Sequence, residues 1–530
     1  LESRNKYDAI LIGSGLGSLT AGALLTLQQK RKILILERHS KVGGFTHVFK
    51  RQGKYTWDVG LHYVGEMNAG SMPRMIFDYI TAGALQWNKI PDPYDTFIYP
   101  GNKIELFSGR KNFTDTLIKV FPEEAEAIRQ YVSDVFHVVS VNMKNIVLDK
   151  MYSGLSILNK PFSSPRSKYL HGTLEEYCQY RFRNKQLAAI ISSQWGNYGL
   201  PPESASFLIH SIIATHYING GYYPAGGSKS IPDTISAVIL KHGGTIKVNS
   251  RVSRIIVENN TAAGVVVLEK KENGFSETEY YSDCIISGAG ARITFGELLR
   301  DPKSFEIISQ INSLKQSTGT VTAYLGLSEN PSGLGLNGGN IWIYDSYDHN
   351  KNFANRNLSI EGKPQLAYVS FPSVRSGTEI EHTAEIISFM DYEVFAKWAD
   401  NPCKKRGEDY EDLKNKIMDK LIDLVESKIP GFASKITYKE LSTPLTTEHY
   451  SGNKFGYIYG IPSVPERKDL KFISNRTHIK NLYLTGADSG THGIAGALFS
   501  GVFAAAEVIG KPKSLIKIFS EAKKFKKRSR

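Results

Sequence analysis

The N-terminal stretch Tyr7-Asp8-Ala9-Ile10-Leu11-Ile12-Gly13-Ser14-Gly15-Leu16-Gly17-Ser18 joins an apolar run to a glycine turn that opens directly into a helix. A second apolar run, Ile33-Leu34-Ile35-Leu36, ends in Glu37, and Gly43-Gly44 follows. This order predicts a βαβ unit built around a dinucleotide site. Gly13 permits the tight turn, Gly15 lets the backbone approach a pyrophosphate, and the helix from about Gly17 directs its unpaired N–H groups at the phosphates. Ser18 stands where glycine or alanine is usual and is still small enough to keep helix and strand close. Glu37 is placed to accept hydrogen bonds from ribose hydroxyls.

The continuation narrows the ligand. Glu37-Arg38-His39 followed by Gly43-Gly44 resembles the extended fingerprint of FAD-binding flavoproteins, in which a second glycine pair passes near the diphosphate. Two later segments read as the rest of the same domain. In one, Tyr223-Pro224-Ala225-Gly226-Gly227-Ser228 leads into a helix through Leu240, and Gly243-Gly244-Thr245-Ile246-Lys247-Val248 begins a strand. The runs 252–257 and 263–268 then alternate as paired strands around an Asn259-Asn260 turn. In the other, Asn481-Leu482-Tyr483-Leu484 is a strand ending in Thr485-Gly486-Ala487-Asp488, with a helix from Ile494. Gly288-Ala289-Gly290 reads as a strand end in this domain, because no later strand ending in an acid makes it a separate nicotinamide site.

The expected fold class is α/β: a Rossmann-like FAD-binding domain assembled from the discontinuous segments 1–75, 222–300 and 471–510, with a second α+β substrate or lid domain from 76–221 and 301–470. Residues 207–214 would supply an apolar wall of that second domain.

Composition excludes several classes. No run reaches the roughly 18–20 apolar residues a membrane-spanning helix needs. The nearest candidate, 494–509, contains Ser500, Gly501 and Glu507. Cys178, Cys284 and Cys403 are odd in number and far apart, so neither a disulfide framework nor a metal site is expected; with no signal-peptide pattern, they suit a cytoplasmic setting. The net charge of +13 is concentrated in a tail, 511–530, with nine Lys or Arg against one acid. Leu515, Ile518, Phe519, Ala522 and Phe525 recur there at helical spacing. The tail therefore reads as a basic amphipathic helix on an anionic membrane surface or as a solvated extension. No recognition motif for nucleic acid accompanies the charge, and none is expected as a partner.

The strings Trp57-Asp58-Val59-Gly60-Leu61-His62-Tyr63-Val64-Gly65, Tyr198-Gly199-Leu200-Pro201-Pro202 and His216-Tyr217-Ile218-Asn219-Gly220-Gly221-Tyr222-Tyr223-Pro224-Ala225-Gly226-Gly227-Ser228 carry a narrower likeness. With Gly486-Ala487-Asp488 and Gly493-Ile494-Ala495-Gly496-Ala497, the chain from about Tyr7 to Gly510 resembles the carotenoid desaturase and isomerase group of flavoproteins. That resemblance implies bound FAD, a lid over a lipophilic tunnel, a conjugated polyene substrate such as retinol or a carotenoid, and association with a membrane surface. The narrower strings favour saturation of a double bond. Desaturation and cis–trans isomerisation stay open, as does a prenyl-lipid carrier of the same architecture without redox chemistry. Amine oxidases share the nucleotide domain, but no amine cage is recognisable. With no dedicated nicotinamide domain, NADH or NADPH would serve as an external reductant, directly or through a partner.

Saturating an alkene beside a flavin takes hydride to one carbon and a proton to its neighbour, with an apolar slot holding the polyene in place. The resemblance puts the strand after Asp58-Val59-Gly60 at the flavin ring, which makes His62 and Tyr63 candidate catalytic groups, with packing in a turn as the plain alternative. His492, in the turn expected to cross the pyrimidine end of the flavin, is a third candidate, for cofactor contact or proton transfer, and its counterpart in the family is left open. His216 and Tyr217 are expected in the cavity wall, and Tyr457 and Tyr459 in the tunnel or the core. The cofactor-binding set comprises Gly13, Gly15, Gly17, Ser18, Glu37, Arg38, Gly43 and Gly44. Gly486 and Asp488 join it at the ribityl or phosphate region, Gly496 and Ala497 in the last helix, and Val252 presents its backbone to adenine. A helix N-cap role is compatible with Asp488.

Overall fold

The computed structural model describes residues 5–151, 171–271, 274–377, 382–470, 472–510 and 513–528. The strands Ala9–Ile12 and Ile33–Leu36 consist of aliphatic residues alone and are buried on both faces, as parallel strands must be when both sides are covered. They form the middle of a five-stranded parallel sheet in the order 482–484, 285–287, 9–12, 33–36, 245–247. All three segments expected to build the nucleotide domain thus contribute strands to one sheet. The strand order reverses at Ala9–Ile12, and the crevice beyond its C-terminal end is where such sheets bind ligands.

Alternate residues explain the layers. Ala9 and Leu11 face a core shared with the helices Leu16–Gln29 and Gly493–Ile509, whereas Ile10, Ile12, Leu34 and Leu36 face the antiparallel sheet of residues 250–281. Helix Leu16–Gln29 is buried around its whole circumference from Leu16 to Thr26, because Gly493–Ile509 covers the side turned away from the sheet. Those two helices meet backbone to backbone: a Cβ on Gly501 would stand 2.4 Å from the Gly17 carbonyl oxygen. The Asn259-Asn260 turn has both residues at positive φ, 47° and 58°, which asparagine tolerates.

The second domain is built on a seven-stranded sheet in the order 436–442, 319–327, 383–390, 366–370, 340–344, 95–99, 102–106. Its period of two divides two environments. Val321, Ala323, Leu325, Ala384 and Ile386 pack on helix Glu408–Glu426. Thr320, Thr322, Tyr324, Ile387 and Phe389 face a cavity on the other side. Helices Ala125–Met151 and Phe207–Tyr217 close that cavity from below. Tyr222–Pro224 does not join the parallel sheet but pairs antiparallel with Trp87–Lys89, linking the two domains.

One expectation is corrected. The tail forms the helix Ser514–Arg528, but the larger part of its apolar face turns inward onto the protein. Leu515, Ile518 and Ala522 are buried in the same core as Ile76, Phe77 and Ile80, and Phe525 packs against the ring of Tyr79. The helical spacing was legible; its partner is the helix Met72–Ile80. Lys511, Pro512, Ser529 and Arg530 lie outside the described residues. Among the described residues, no helix is long and apolar enough to cross a membrane.

Candidate functional site

A single cavity of about 1630 Å³ begins at the glycine turn after Ala9–Ile12 and extends beneath the seven-stranded sheet. That exceeds the ~300–1,000 Å³ of a site for one small ligand. It has room for a dinucleotide and a second, extended molecule.

The glycine end is a cradle with an electrostatic purpose. Gly13 sits at φ 82°, which explains its identity. A Cβ on Gly15, Gly486 or Gly493 would meet nothing within 4 Å, so all three border open space. Gly17 has a different role: its Cβ would stand 2.6 Å from Thr485 Oγ1 and 2.7 Å from the Gly486 nitrogen, so glycine here lets the helix touch the third segment. Ser18 Oγ is buried without a partner, beside Gly288. Helices Leu16–Gln29 and Gly493–Ile509 both start at this cavity, and no side chain caps either one. Their free N–H groups make an anion site.

Glu37 organises the cradle rim. Its Oε2 accepts from the Ser14 N–H at 2.8 Å and the Ser14 hydroxyl at 2.6 Å, and its Oε1 accepts from the His39 N–H at 2.7 Å. Ser14 Oγ in turn accepts from the Gly43 N–H at 3.1 Å, and Gly43 and Gly44 lie against Gly15. A carboxylate has further lone pairs for ribose hydroxyls. Arg38 is anchored by donating to the His449 carbonyl at 2.7 Å, with its pKa lowered by burial and by Arg251. Val252 borders the cavity where its strand is irregular, between Val252 and Arg254.

At the far side of the cradle Asp488 is engaged within the protein: Oδ2 accepts from the Ala291 N–H at 2.6 Å and Oδ1 from the Ile461 N–H at 2.8 Å. The N-cap position of the last domain helix belongs instead to His492. Gly496 has no room for a side chain, since a Cβ would lie 2.0 Å from the Thr491 carbonyl oxygen, and Ala497 follows it on the cavity wall. Arg467 was not singled out by any motif. Buried, it donates to the carbonyls of Ile461, Ala487, Asp488 and Gly490 and so fixes the whole 486–490 turn.

The apolar part of the cavity is walled by Phe136, Val139 and Ile146 on one helix, Leu208 and Ile212 on the other, and Trp342 and Phe389 on the sheet. His216 belongs to this wall, its Nε2 accepting from the Gly65 N–H at 2.8 Å, and Tyr459 lines it while Tyr457 does not. Tyr63 also borders the cavity. Its ring stacks on Tyr217 at 3.9 Å and its hydroxyl is held by Asp95 and Asn197, which makes it a wall residue with a phenol far above its usual pKa through burial.

His62 and His492 border the same cavity. Neither ring nitrogen of His492 has a well-formed hydrogen bond, and burial beside Arg467 keeps the imidazole neutral. His62 keeps 21% of its side chain exposed, with Nδ1 on its buried edge, and burial pushes its pKa down to about 4. Two uncapped helix starts, three open glycines and an orphaned histidine in one cavity fit a dinucleotide cofactor.

Comparisons with known proteins agree with this geometry. Residues 19–328 match the family described as flavin containing amine oxidoreductase. The all-trans-retinol 13,14-reductase of Danio rerio is 33% identical over 98% of this chain and 88% of its own length. That of Rattus norvegicus is 29% identical over 93% of this chain and 84% of its own length. A chloroplastic prolycopene isomerase of Arabidopsis thaliana is 24% identical, covering 95% of this chain and 82% of that protein. Among solved structures, putrescine oxidase bound to putrescine has the same fold, with a TM-score of 0.60 at 12% identity over 96% of this chain and 99% of its own. A family match across more than half of the sequence, with 33% identity along nearly all of it, establishes that the chain belongs to the flavin containing amine oxidoreductase family and groups there with the all-trans-retinol 13,14-reductases.

Proposed function

We propose that this protein is an FAD-dependent reductase that saturates one double bond of a lipophilic conjugated polyene of the retinol class. The observation that carries the proposal is the continuity of one cavity from the glycine cradle to the apolar wall of Leu208, Ile212, Trp342 and Phe389. FAD would be held by Gly13, Gly15, Gly17 and Ser18 at the diphosphate, Glu37 at the ribose, Arg38, Gly43 and Gly44 at the rim, Val252 at adenine, and the 486–497 segment at the ribityl and flavin. When bound, the flavin supplies the hydride.

The chain's own residues do the rest. The wall excludes water and holds the polyene extended, so that a chosen bond lies at the reactive end of the cradle. His62, kept neutral by burial and bordering the cavity, would give the proton. Exposed Met72 and Met143 border the same cavity, and Lys526 of the tail helix lies beside Gly70. A mouth of this composition suits the surface of an anionic membrane, where such substrates dissolve.

The direct test is anaerobic reduction of the purified flavoprotein with NADH or NADPH, followed by mass analysis of retinol and longer carotenoids. A gain of two hydrogens is expected. Loss of two hydrogens would indicate desaturation, unchanged mass with altered geometry would indicate isomerisation, and hydrogen peroxide formed from amines would indicate amine oxidation. A colourless protein that takes up no FAD would be a lipid carrier. A second expectation concerns the wall: Ile212→Trp, which adds bulk from a half-buried position on the channel helix, should lower kcat/KM for a long polyene about 10-fold or more while leaving flavin content unchanged.

A further inference from the structure

Glu385 is out of place. On the strand Thr383–Met390 the odd positions face the cavity side of the sheet, where Ile387 and Phe389 are apolar, yet position 385 carries a carboxyl group with no solvent exposure. His62 Nδ1 stands 3.1 Å from Oε2, without the alignment of a well-formed hydrogen bond. Neither carboxyl oxygen has a well-formed hydrogen bond among the described residues, and the Asp58 backbone is the other polar group beside them. The residue is anchored at its backbone, where the Arg375 guanidinium donates to the His62 carbonyl at 2.6 Å, and the Tyr368 ring meets the imidazole edge-on at 5.2 Å.

We infer that Glu385 is the positioning residue behind His62, a buried carboxylic acid that fixes the imidazole proton on Nε2 toward the cavity and replaces that proton through Nδ1 when His62 gives it up. The inference rests on the proposed polyene reduction and identifies where its proton comes from.

The charge states agree with the geometry. Burial pushes the Glu385 carboxyl up to about 8, tempered by Arg375 and the Asp58 backbone. The charged and titratable groups packed around the pair are Asp58, Arg375, Tyr223, Tyr324 and Tyr368. Asp58 is held by the hydroxyls of Tyr223 and Ser228. Near neutral pH both members of the pair are uncharged, so the carboxyl O–H, once aligned, would donate to Nδ1 and leave the ring proton on Nε2. In the step, one alkene carbon would receive the hydride that a bound flavin supplies. The neighbouring carbon takes the Nε2 proton as the Glu385 proton moves to Nδ1. A C–H bond forms, the Nε2–H and carboxyl O–H bonds break, an Nδ1–H bond forms, and the carboxylate left behind faces Nδ1–H and Arg375. Solvent returns the proton after product leaves.

Glu385→Gln separates positioning from relay, because an amide N–H still donates to Nδ1 but cannot move a proton. This variant should keep its flavin, its KM and the Nε2–H tautomer, read by nitrogen NMR of labelled histidine, while kcat falls about 100-fold or more. In the wild type kcat should decline as pH rises through about 8, where the acid ionises, and that limb should vanish in the variant. Independently of turnover, infrared difference spectra of the wild type, without substrate, should show a protonated carboxyl band at neutral pH that Glu385→Gln removes. Wild-type kcat in the variant, or a Glu385 already ionised at neutral pH, overturns the relay even if polyenes are reduced. The band and tautomer present without any polyene turnover overturn the functional reading instead.

Discussion

Replacing Arg467 by leucine is expected to yield a colourless protein that is destabilised by at least ~3 kcal/mol, since four backbone carbonyls lose the guanidinium they accept from, at ~1–3 kcal/mol each. The guanidinium spans acceptors on two separate stretches: Ala487 at 2.8 Å, Asp488 at 3.2 Å and Gly490 at 2.9 Å on the cradle turn, and Ile461 on the loop above. The Asp488 carboxylate cannot take over, because it only accepts, from the N–H groups of Ala291 and Ile461. A planar fork of five donors can serve four carbonyls in different directions, whereas an ammonium cannot. Arg467→Lys should therefore recover part of the stability and little of the flavin. Visible flavin absorbance and a urea melt measure the two effects separately. A leucine variant with full flavin content would show that the 486–490 turn holds its shape without the clamp.

Arg467 also marks where sequence reasoning reaches its limit. Residues whose role is local were legible. Gly13 needs its positive φ, the alternating strands 250–258 and 261–271 need a turn at Asn259-Asn260, and a strand such as Ile33–Leu36 announces two covered faces. The joining of three distant segments into one sheet was also readable, because each ends in a glycine turn of the kind a phosphate site requires. Residues whose role depends on distant partners were not. Arg467 lies in a short 3₁₀ turn with no pattern around it, and its acceptors become visible only when 461 and 487–490 are brought together. Glu385 left one faint signal, an acid in the middle of an apolar run, but nothing in the sequence pairs it with His62, 323 positions earlier. Ser14, between two glycines, reads as a small spacer, yet its hydroxyl connects Glu37 to Gly43. In the tail, periodicity revealed an apolar face and charge suggested a membrane, and only tertiary structure shows that face packed on Met72–Ile80.

That correction has a large measurable consequence. Ile518→Asp is expected to destabilise the whole protein by at least ~3 kcal/mol, because Ile518 has no exposure and an unpaired carboxylate there must be desolvated or protonated. Its burial, with that of Leu515, also contributes roughly 1.5–3 kcal/mol per side chain. Removing residues 513–530 altogether should be worse, uncovering Ile76, Phe77 and Ile80 and producing an aggregating chain rather than a soluble enzyme released from membranes. The outer face should behave differently. Lys517, Lys523, Lys524 and Lys527 are exposed, and their joint replacement by glutamine should leave the melting transition nearly unchanged, within about ±0.5 kcal/mol for each such surface substitution. The same change should reduce binding to vesicles containing phosphatidylserine by about 1 kcal/mol for each lysine that reaches the surface. Thermal melts and vesicle co-sedimentation of the two variants thus divide the tail into a core face and a surface face. Equal stability in Ile518→Asp would return the helix to a free, membrane-seeking role, while unchanged vesicle binding in the glutamine variant would remove the tail from any membrane contact.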